Sequence, residues 1–325
     1  MDLQVFLEEW NNDSPFVRVE TSGSTGKPKV IFVEKERMIE SAKMTCQFLR
    51  LKPHDKALLC MSLKHIGAKM MVVRSLIANL DLLVTPPSKN PLAEITEPLN
   101  FVAMVPMQVY NSMQNPIEYE RLKNIEKLII GGGEIDKNLE TDLTNFPNEV
   151  WSTYGMTETL SHIAMRRVNG PNASKWYQPL PNIKISTLSD GCLIIDAPHL
   201  SEETIVTNDI VDINTNNEFK ILGRKDNVIN SGGIKIQIEE VERIVGKHLN
   251  GSFAISGKKD LMYGEIVVLY YTPFNLCSQE ILNKINNELP KYHKIKEAVC
   301  IDKIPLTSNG KIDRGSLRNK LNPLV

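Results

Sequence analysis

Thr21-Ser22-Gly23-Ser24-Thr25-Gly26-Lys27-Pro28-Lys29-Val30 packs small hydroxylated residues and glycines between two runs of strand character. Phe16, Val17 and Val19 lead into it, and Val30, Ile31, Phe32 and Val33 lead out. Gly23 and Gly26 admit positive φ, so successive backbone N–H groups can turn toward one point and form a nest for an anion. Ser22, Ser24 and Thr25 add hydroxyl donors and Lys27 adds a positive charge. That is the chemistry of a loop that wraps polyphosphate. A Walker A loop is excluded, because it needs G-x-x-x-x-G-K-[ST] at the start of a helix. Here Pro28 follows Gly26-Lys27, and a strand run follows Pro28. A Gly/Ser-rich hairpin turn is the competing reading, and the remainder of the chain has to decide.

Outward from this loop the composition is that of a globular chain: 325 residues, 42% hydrophobic and 24% charged, enough for two domains. Lys and Arg number 38 against 39 Asp and Glu, a net charge of −1, so no overall field attracts nucleic acid or an anionic membrane. Met1-Asp2-Leu3-Gln4 lacks the positively charged start of a signal peptide, and no apolar run is long enough to span a bilayer. Cys46, Cys60, Cys192, Cys277 and Cys300 are scattered without C-x-x-C spacing, which predicts reduced thiols and a cytoplasmic protein. Neither they nor the six histidines make a metal-binding pattern such as H-E-x-x-H, so the expected metal is Mg²⁺ arriving with a phosphate substrate.

Helical spacing from Glu34 to Leu49 alternates with a short apolar run at 56–61, helical spacing again over 66–77, and strand runs at 81–85, 101–105, 127–130 and 149–152. Helices are predicted after Pro106 and over 136–143, and residues 1–15 hold a short helix and a connector. This alternation predicts an α/β fold: a large N-terminal α/β domain, residues 1–223, with helices on the faces of a sheet. Its later part, from Pro179 to Leu222, changes to short strands with Asn/Asp/Gly turns, a small β subdomain. After Gly223 a smaller α+β domain, 224–325, is predicted with helices at 238–249 and 279–289, strands at 252–256, 265–271 and 298–302, and a last helix. In such sheets the ligand crevice lies beyond the carboxyl ends of the strands, where Gly131-Gly132-Gly133 and Thr153 to Thr157 fall.

Three more clusters carry candidate chemistry. In Ser152-Thr153-Tyr154-Gly155-Met156-Thr157-Glu158-Thr159, Tyr154 suits stacking on a base, Thr157 a phosphate oxygen and Glu158 Mg²⁺; a plain helix start with Thr157 as N-cap is the alternative. Thr207-Asn208-Asp209 with Arg224 suits a ribose clamp, although taken alone a surface turn with a solvated ion pair is the preferred reading. Pro305-Leu306-Thr307-Ser308-Asn309-Gly310-Lys311-Ile312-Asp313-Arg314 presents Lys311 on a polar loop, where a cation could stabilise charge developing on a phosphate.

Together, T-S-G-S-T-G-K-P-K, Y-G-M-T-E-T, G-R-K-D-N-x-x-x-S-G-G and P-x-x-x-x-G-K-x-x-R occur in one order along one chain. In this they resemble the core motifs of the adenylate-forming superfamily, which includes acyl- and aryl-CoA ligases, adenylation domains and luciferases. The resemblance implies that the loop Thr21 to Lys27 holds the β- and γ-phosphates of ATP. It implies that Gly131, Gly132, Gly133 and Tyr154 flank adenine, that Thr157 meets the α-phosphate, and that Glu158 ligates Mg²⁺. It assigns the ribose to Asp209 and Arg224 and makes Lys311 the bridge between the acid and the α-phosphate. The small domain would then rotate about Asp226, withdraw Lys311 and bring Gly232 and Gly233 to a tunnel for CoA. Asn208 stands where the family has glycine, and Asn227 where it has a second acid. Typical members also carry a much longer segment before the loop, so part of the acyl pocket is expected to be reduced or supplied by a partner subunit.

Ser62 to Gly67 followed by Val73-Arg74-Ser75-Leu76-Ile77 resembles the segment that gates the acyl pocket. Tyr154 to Ala164 is similar to the 2-succinylbenzoate–CoA ligases of menaquinone biosynthesis. That resemblance implies an aromatic carboxylic acid, ATP and CoA as substrates, with His65 lining the aryl pocket and Ser161 touching the second carboxylate. His54, His162, His199, His248 and His293 receive no role. Another aryl- or short-acyl-CoA ligase, or a carrier-dependent adenylation module, stays open, as does a homo-oligomer.

Overall fold

The computed structural model describes residues 2–20, 30–249, 251–273, 279–306 and 312–321. Thr21, Ser22, Gly23, Ser24, Thr25, Gly26, Lys27 and Lys311 lie outside the described residues. The chain divides into two compact units, one of Met1–Ser186, Ile194–Val206 and Ile213–Lys220, the other of Thr187–Leu193, Thr207–Asp212 and Ile221–Val325.

In chain order the first elements are α1 (Leu3–Asn11), β1 (Phe16–Glu20), β2 (Val30–Glu34), α2 (Lys35–Leu49), β3 (Lys56–Leu59), α3 (Ile66–Ala78), β4 (Asp81–Val84) and β5 (Phe101–Met104). They continue with α4 (Pro106–Gln114), α5 (Pro116–Lys123), β6 (Lys127–Ile130), α6 (Lys137–Leu143), β7 (Glu149–Gly155), β8 (His162–Arg167) and β9 (Gln178–Pro179). The α/β fold expected from the alternation is present. A seven-stranded sheet runs β4-β3-β5-β6-β7-β8-β9, with β4 through β7 parallel and β8 and β9 antiparallel. All four residues of β5 are buried, as a strand covered on both faces requires. Leu58, Val102, Met104, Leu128, Ile130 and Val150 share one core with Val109, Leu122, Leu139 and Leu143 from α4, α5 and α6.

Local chemistry explains the helix ends. Asn115 accepts hydrogen bonds from the backbone N–H groups of Ile117 and Glu118, with Pro116 at the first helical position, and so starts α5. Asp136 does the same for α6 through Asn138 and Leu139. Arg50 and Asn79 end α2 and α3 in the left-handed conformation. β1 and β2 pair antiparallel with Glu20 opposite Val30, so the glycine-rich stretch joins the two strands of a hairpin.

The chain goes on through β10 (Lys184–Thr187), β11 (Cys192–Asp196), β12 (Ile205–Ile213) and β13 (Phe219–Arg224), a sheet in the order β10-β11-β12-β13. Next come β14 (Val228–Ser231), β15 (Ile234–Gln237), α7 (Ile238–Val245), β16 (Phe253–Asp260), β17 (Gly264–Tyr271), α8 (Gln279–Glu288), β18 (Glu297–Cys300) and α9 (Arg314–Leu321). The second unit's sheet runs β15-β14-β17-β16, with β18 parallel to β17. Ile238, Val241 and Val245 of α7 bury one face in a core with Ile229, Ile255, Val267, Leu269 and Ile285.

Two tight connections bear on the motifs. β7 runs through Tyr154 to Gly155 and turns back antiparallel as β8, so Met156 to Ser161 is a hairpin connection and no helix starts at Thr157. Ser231 and Ile234 face each other across a two-residue turn in which Gly232 and Gly233 have φ +57° and +80°. Left-handed φ at both positions favours glycine there.

The tightest backbone approach is at Gly155, where an added Cβ would lie 2.2 Å from the Ser161 carbonyl oxygen and 2.4 Å from the His162 Cα. Both obstacles are main chain and cannot rotate away. Gly155→Ala is expected to destabilise the protein by about 1–3 kcal/mol or more, seen as a lower midpoint in urea unfolding; an unchanged midpoint would refute this packing.

Candidate active site

Because β3 through β7 are parallel, their carboxyl ends share one edge of the sheet, and the strand order reverses between β3 and β5. Ser62 to His65 follow β3, Gly131-Gly132-Gly133 follow β6, and Thr157, Glu158 and Ser161 follow β7. The structure therefore brings the expected adenine, α-phosphate and acid residues of the first unit to a common edge.

Gly131 donates its N–H to the Met104 carbonyl at 3.1 Å, and a side chain there would collide with the Thr153 hydroxyl at 2.3 Å. Gly132 has φ +77°. Tyr154 is 8% exposed, its ring edge-on to Phe219 at 5.0 Å and tilted against Tyr177 at 6.1 Å. The Ser152 and Tyr177 hydroxyls meet at 2.8 Å behind it. Aromatic packing therefore holds Tyr154, which offers a base only a narrow face.

Thr159, to which the sequence reading gave no role, closes the loop. Its fully buried hydroxyl accepts from the Met156 N–H at 2.9 Å and lies 2.7 Å from the Ser161 carbonyl. Leu160 takes φ +64°, a conformation a bulky side chain adopts at a cost. Between these constraints Thr157 is half-buried and Glu158 is exposed. A single exposed carboxylate suits a Mg²⁺ that arrives with phosphate and water ligands. Among the described residues no cluster of three or more His, Cys, Asp or Glu forms a resident metal site.

His65 is exposed at the residue preceding α3, and its carbonyl accepts from the Ala68 and Lys69 N–H groups. Farther along α3 the burial is more telling. Lys69 lies over the Phe6 ring, donates to the Arg18 carbonyl of β1 and meets Glu9 at 3.3 Å, which ties α1 and the β1–β2 hairpin to α3. Arg74 is 1% exposed; no carboxylate among the described residues pairs with it, and Nε has no hydrogen-bond partner. Burial pulls its pKa down to about 10. Nη2 donates to the Ser161 hydroxyl at 2.5 Å. Beside them His162 is buried, with Nε2 at 2.9 Å from the Thr45 hydroxyl and Nδ1 at 3.4 Å from that of Ser161. Burial, and then the Arg74 charge, hold the imidazole well below its ordinary value.

The sequence reading placed Arg74 only within the stretch that resembles the acyl-gating segment, and it gave His162 no role. A signal for Arg74 was present: a cation spaced four residues from Met70 on the apolar face of a helix. Nothing local marks His162, whose burial comes from α2 and α3.

In the second unit Arg224 Nη1 lies 2.9 Å from Asp209 Oδ1, and Nε and Nη2 meet both Asp226 oxygens at 2.9 and 3.0 Å. The expected ribose pair is thus together, and Asp226, expected as the hinge, grips the same guanidinium. Burial opposes the Asp226 charge, but the Arg224 hydrogen bonds outweigh it and hold that carboxyl below its usual range. Flanking the Lys311 loop, Leu306 and Ile312 bridge antiparallel. Arg314 forks onto Glu242 at 2.8 and 3.0 Å and donates to the Ile255 carbonyl at 2.9 Å. That fixes one end of the loop to the unit's core.

His162 gives a pH test. It stays neutral in the folded chain, while an unfolded imidazole takes up a proton below about pH 6.5, so stability is lost as pH falls through that value. The melting temperature of the wild type is expected to fall more between pH 7 and pH 5 than that of His162→Gln; parallel curves would show that His162 is protonated when folded.

The AMP-binding enzyme family matches residues 5–193, and the AMP-binding enzyme C-terminal domain matches residues 240–311. The 2-succinylbenzoate–CoA ligase of Bacillus cereus (strain ATCC 10987 / NRS 248) is 24% identical over 345 residues, 96% of this chain and 71% of that protein. Among solved structures, an acyl-CoA synthetase (AMP-forming)/AMP-acid ligase II-like protein from Dyadobacter fermentans is 33% identical, with 98% of this chain and 93% of that chain covered and a TM-score of 0.67. The o-succinylbenzoate CoA synthetase of Bacillus subtilis, in complex with its acyl-adenylate intermediate, is similar in fold, with 21% identity, coverage of 92% and 68%, and a TM-score of 0.77. No helix among the described residues is long and apolar enough to cross a membrane. With more than half of its length matched, the chain belongs to the AMP-binding enzyme family of adenylate-forming enzymes.

Proposed function

We propose that this chain is an AMP-forming acid–CoA ligase that activates 2-succinylbenzoate with MgATP and passes the acyl group to CoA, a step of menaquinone biosynthesis. The observation that carries the choice of acid is Arg74. A buried guanidinium without a carboxylate partner costs several kcal/mol, and a substrate with a second carboxylate would offset that cost on binding. Ser161, whose hydroxyl oxygen already accepts from Arg74, would hold the guanidinium toward that carboxylate. The similarity to 2-succinylbenzoate–CoA ligases supports the same choice.

In the first half-reaction a carboxylate oxygen of the acid attacks the α-phosphorus of ATP, the bond to the β-phosphate oxygen breaks, and pyrophosphate leaves. Two anions must be held together for this, so the catalytic work is positioning and charge stabilisation. In this reading the loop from Thr21 to Lys27 takes the β- and γ-phosphates, Thr157 the α-phosphate, Glu158 the Mg²⁺ and Lys311 the developing charge. Gly131, Gly132, Gly133 and Tyr154 flank the adenine, Asp209 and Arg224 hold the ribose, and His65 borders the aryl group. In the second half-reaction the CoA sulfur attacks the acyl carbon, AMP leaves, and the thiol proton goes to solvent. Rotation of the 224–325 domain about Asp226 would withdraw Lys311 and bring Gly232 and Gly233 to the pantetheine.

Wild type is expected to exchange labelled pyrophosphate into ATP when 2-succinylbenzoate is present and to form its thioester when CoA is added. Exchange without thioester would favour an adenylation module, and thioester only with other acids would favour another aryl- or short-acyl-CoA ligase. Arg74→Met should lower kcat/KM for 2-succinylbenzoate about 30–100-fold, the worth of a charge-assisted contact. It should leave the melting temperature equal or higher, because a buried charge is replaced by an apolar side chain of similar length. Unchanged kcat/KM would refute the role of Arg74. Lys311→Ala should abolish exchange yet convert supplied acyl-adenylate to thioester, and near-normal exchange would remove Lys311 from the chemistry.

A further inference from the structure

Five groups from α2, α3 and the β7–β8 hairpin form one directed chain of hydrogen bonds. Arg74 can only donate, so the Ser161 oxygen, 2.5 Å from Nη2, accepts. The Ser161 proton must then point elsewhere, and His162 Nδ1 stands 3.4 Å away as an acceptor. Across the ring, Nε2 lies 2.9 Å from the Thr45 oxygen. Thr45 donates its own proton to the Ser41 carbonyl at 3.2 Å, which can only accept. With a fixed donor at one end and a fixed acceptor at the other, every member between donates once and accepts once. That order holds for a single form of the ring, neutral, with its proton on Nε2 and Nδ1 bare. A ring protonated on both nitrogens would have no acceptor for Ser161 and would add a second cation beside Arg74.

We propose that His162 is a positioning residue for acid recognition: its bare Nδ1 holds the Ser161 hydroxyl so that a Ser161 lone pair stays on Arg74 Nη2, leaving Nε turned to the second carboxylate of the acid. The inference rests on the proposed reading of the acid subsite. Arg74 Nε is buried and has no hydrogen-bond partner, as a group reserved for a ligand would be. His162 touches neither the acid nor ATP in this assignment; it acts through Ser161.

Two substitutions separate this role from simple packing. His162→Asn is the smaller side chain but places an amide oxygen where Nδ1 stood; His162→Leu fills the space better but offers no acceptor. If His162 only fills the core, Leu is the better substitute; if it positions Ser161, Asn is. In steady-state kinetics with 2-succinylbenzoate, MgATP and CoA, His162→Leu is expected to raise the KM of the acid about tenfold, the loss of one buried hydrogen bond. The KM of ATP and kcat should stay within about twofold, and His162→Asn should keep the acid KM within about threefold. In ¹⁵N-histidine NMR of the wild type at pH 7, the resonance lost in both variants should show a protonated Nε2 and a bare Nδ1. A protonated Nδ1, Leu equal to or better than Asn, or a loss spread equally over acid and ATP would overturn the inference while the acid reading stands. A wild type that ignores 2-succinylbenzoate would overturn the acid reading and this role with it.

Discussion

Parallel pairing of β3 through β7 is the constraint on which the rest of the first unit depends. Parallel strands need long crossover connections, which α3 supplies between β3 and β4, α4 and α5 between β5 and β6, and α6 between β6 and β7, while residues 85–100 join β4 to β5 without a helix. The same pairing aligns every strand's carboxyl end, so segments far apart in sequence end at one edge. Residues 62–65, 131–133 and 156–161 become neighbours of that edge for no reason of their own. Close approach of the Thr153 side chain at Gly131 and of the main chain at Gly155 then fixes how the loops leave the sheet.

At that edge the fold holds a group it does not itself satisfy. Core strands and helices pack apolar residues with ordinary economy, yet Arg74 is buried in α3 with a hydroxyl as its side-chain partner. A stable core would be better served by an apolar residue there. Burial also strengthens what the cation can do, because a charge removed from water interacts more strongly with a charged ligand. The strained Leu160 and the buried Thr159 hydroxyl belong to the same local design, since they hold Ser161 against Arg74.

The second unit solves a different problem, holding the two residues that flank 307–311. Arg314 and Glu242 form a forked pair that also caps the Ile255 carbonyl, and the bridge between Leu306 and Ile312 closes the base. Asp209, Arg224 and Asp226 make a separate charged cluster at the end of β13, with one guanidinium shared by two carboxylates. Its oxygens and nitrogens are oriented by each other before any ligand arrives.

Much of this was legible from the sequence by itself. Periodicity and turn residues determined the alternation of strands and helices, because burying one face of a helix and both faces of a central strand leaves a pattern that neighbours in sequence carry. The glycine-rich stretch, the Tyr154 to Thr159 segment and the residues before Arg314 made the family legible, because such motifs are carried by adjacent residues. Tertiary structure alone decided the continuation of β7 into a hairpin, the tight turn at Gly232-Gly233, and the chain from Arg74 to Ser41. A histidine after a serine looks like a surface residue until other elements close over it. Burial and hydrogen-bond direction are set by atoms distant in the chain, and no pattern of adjacent residues encodes them.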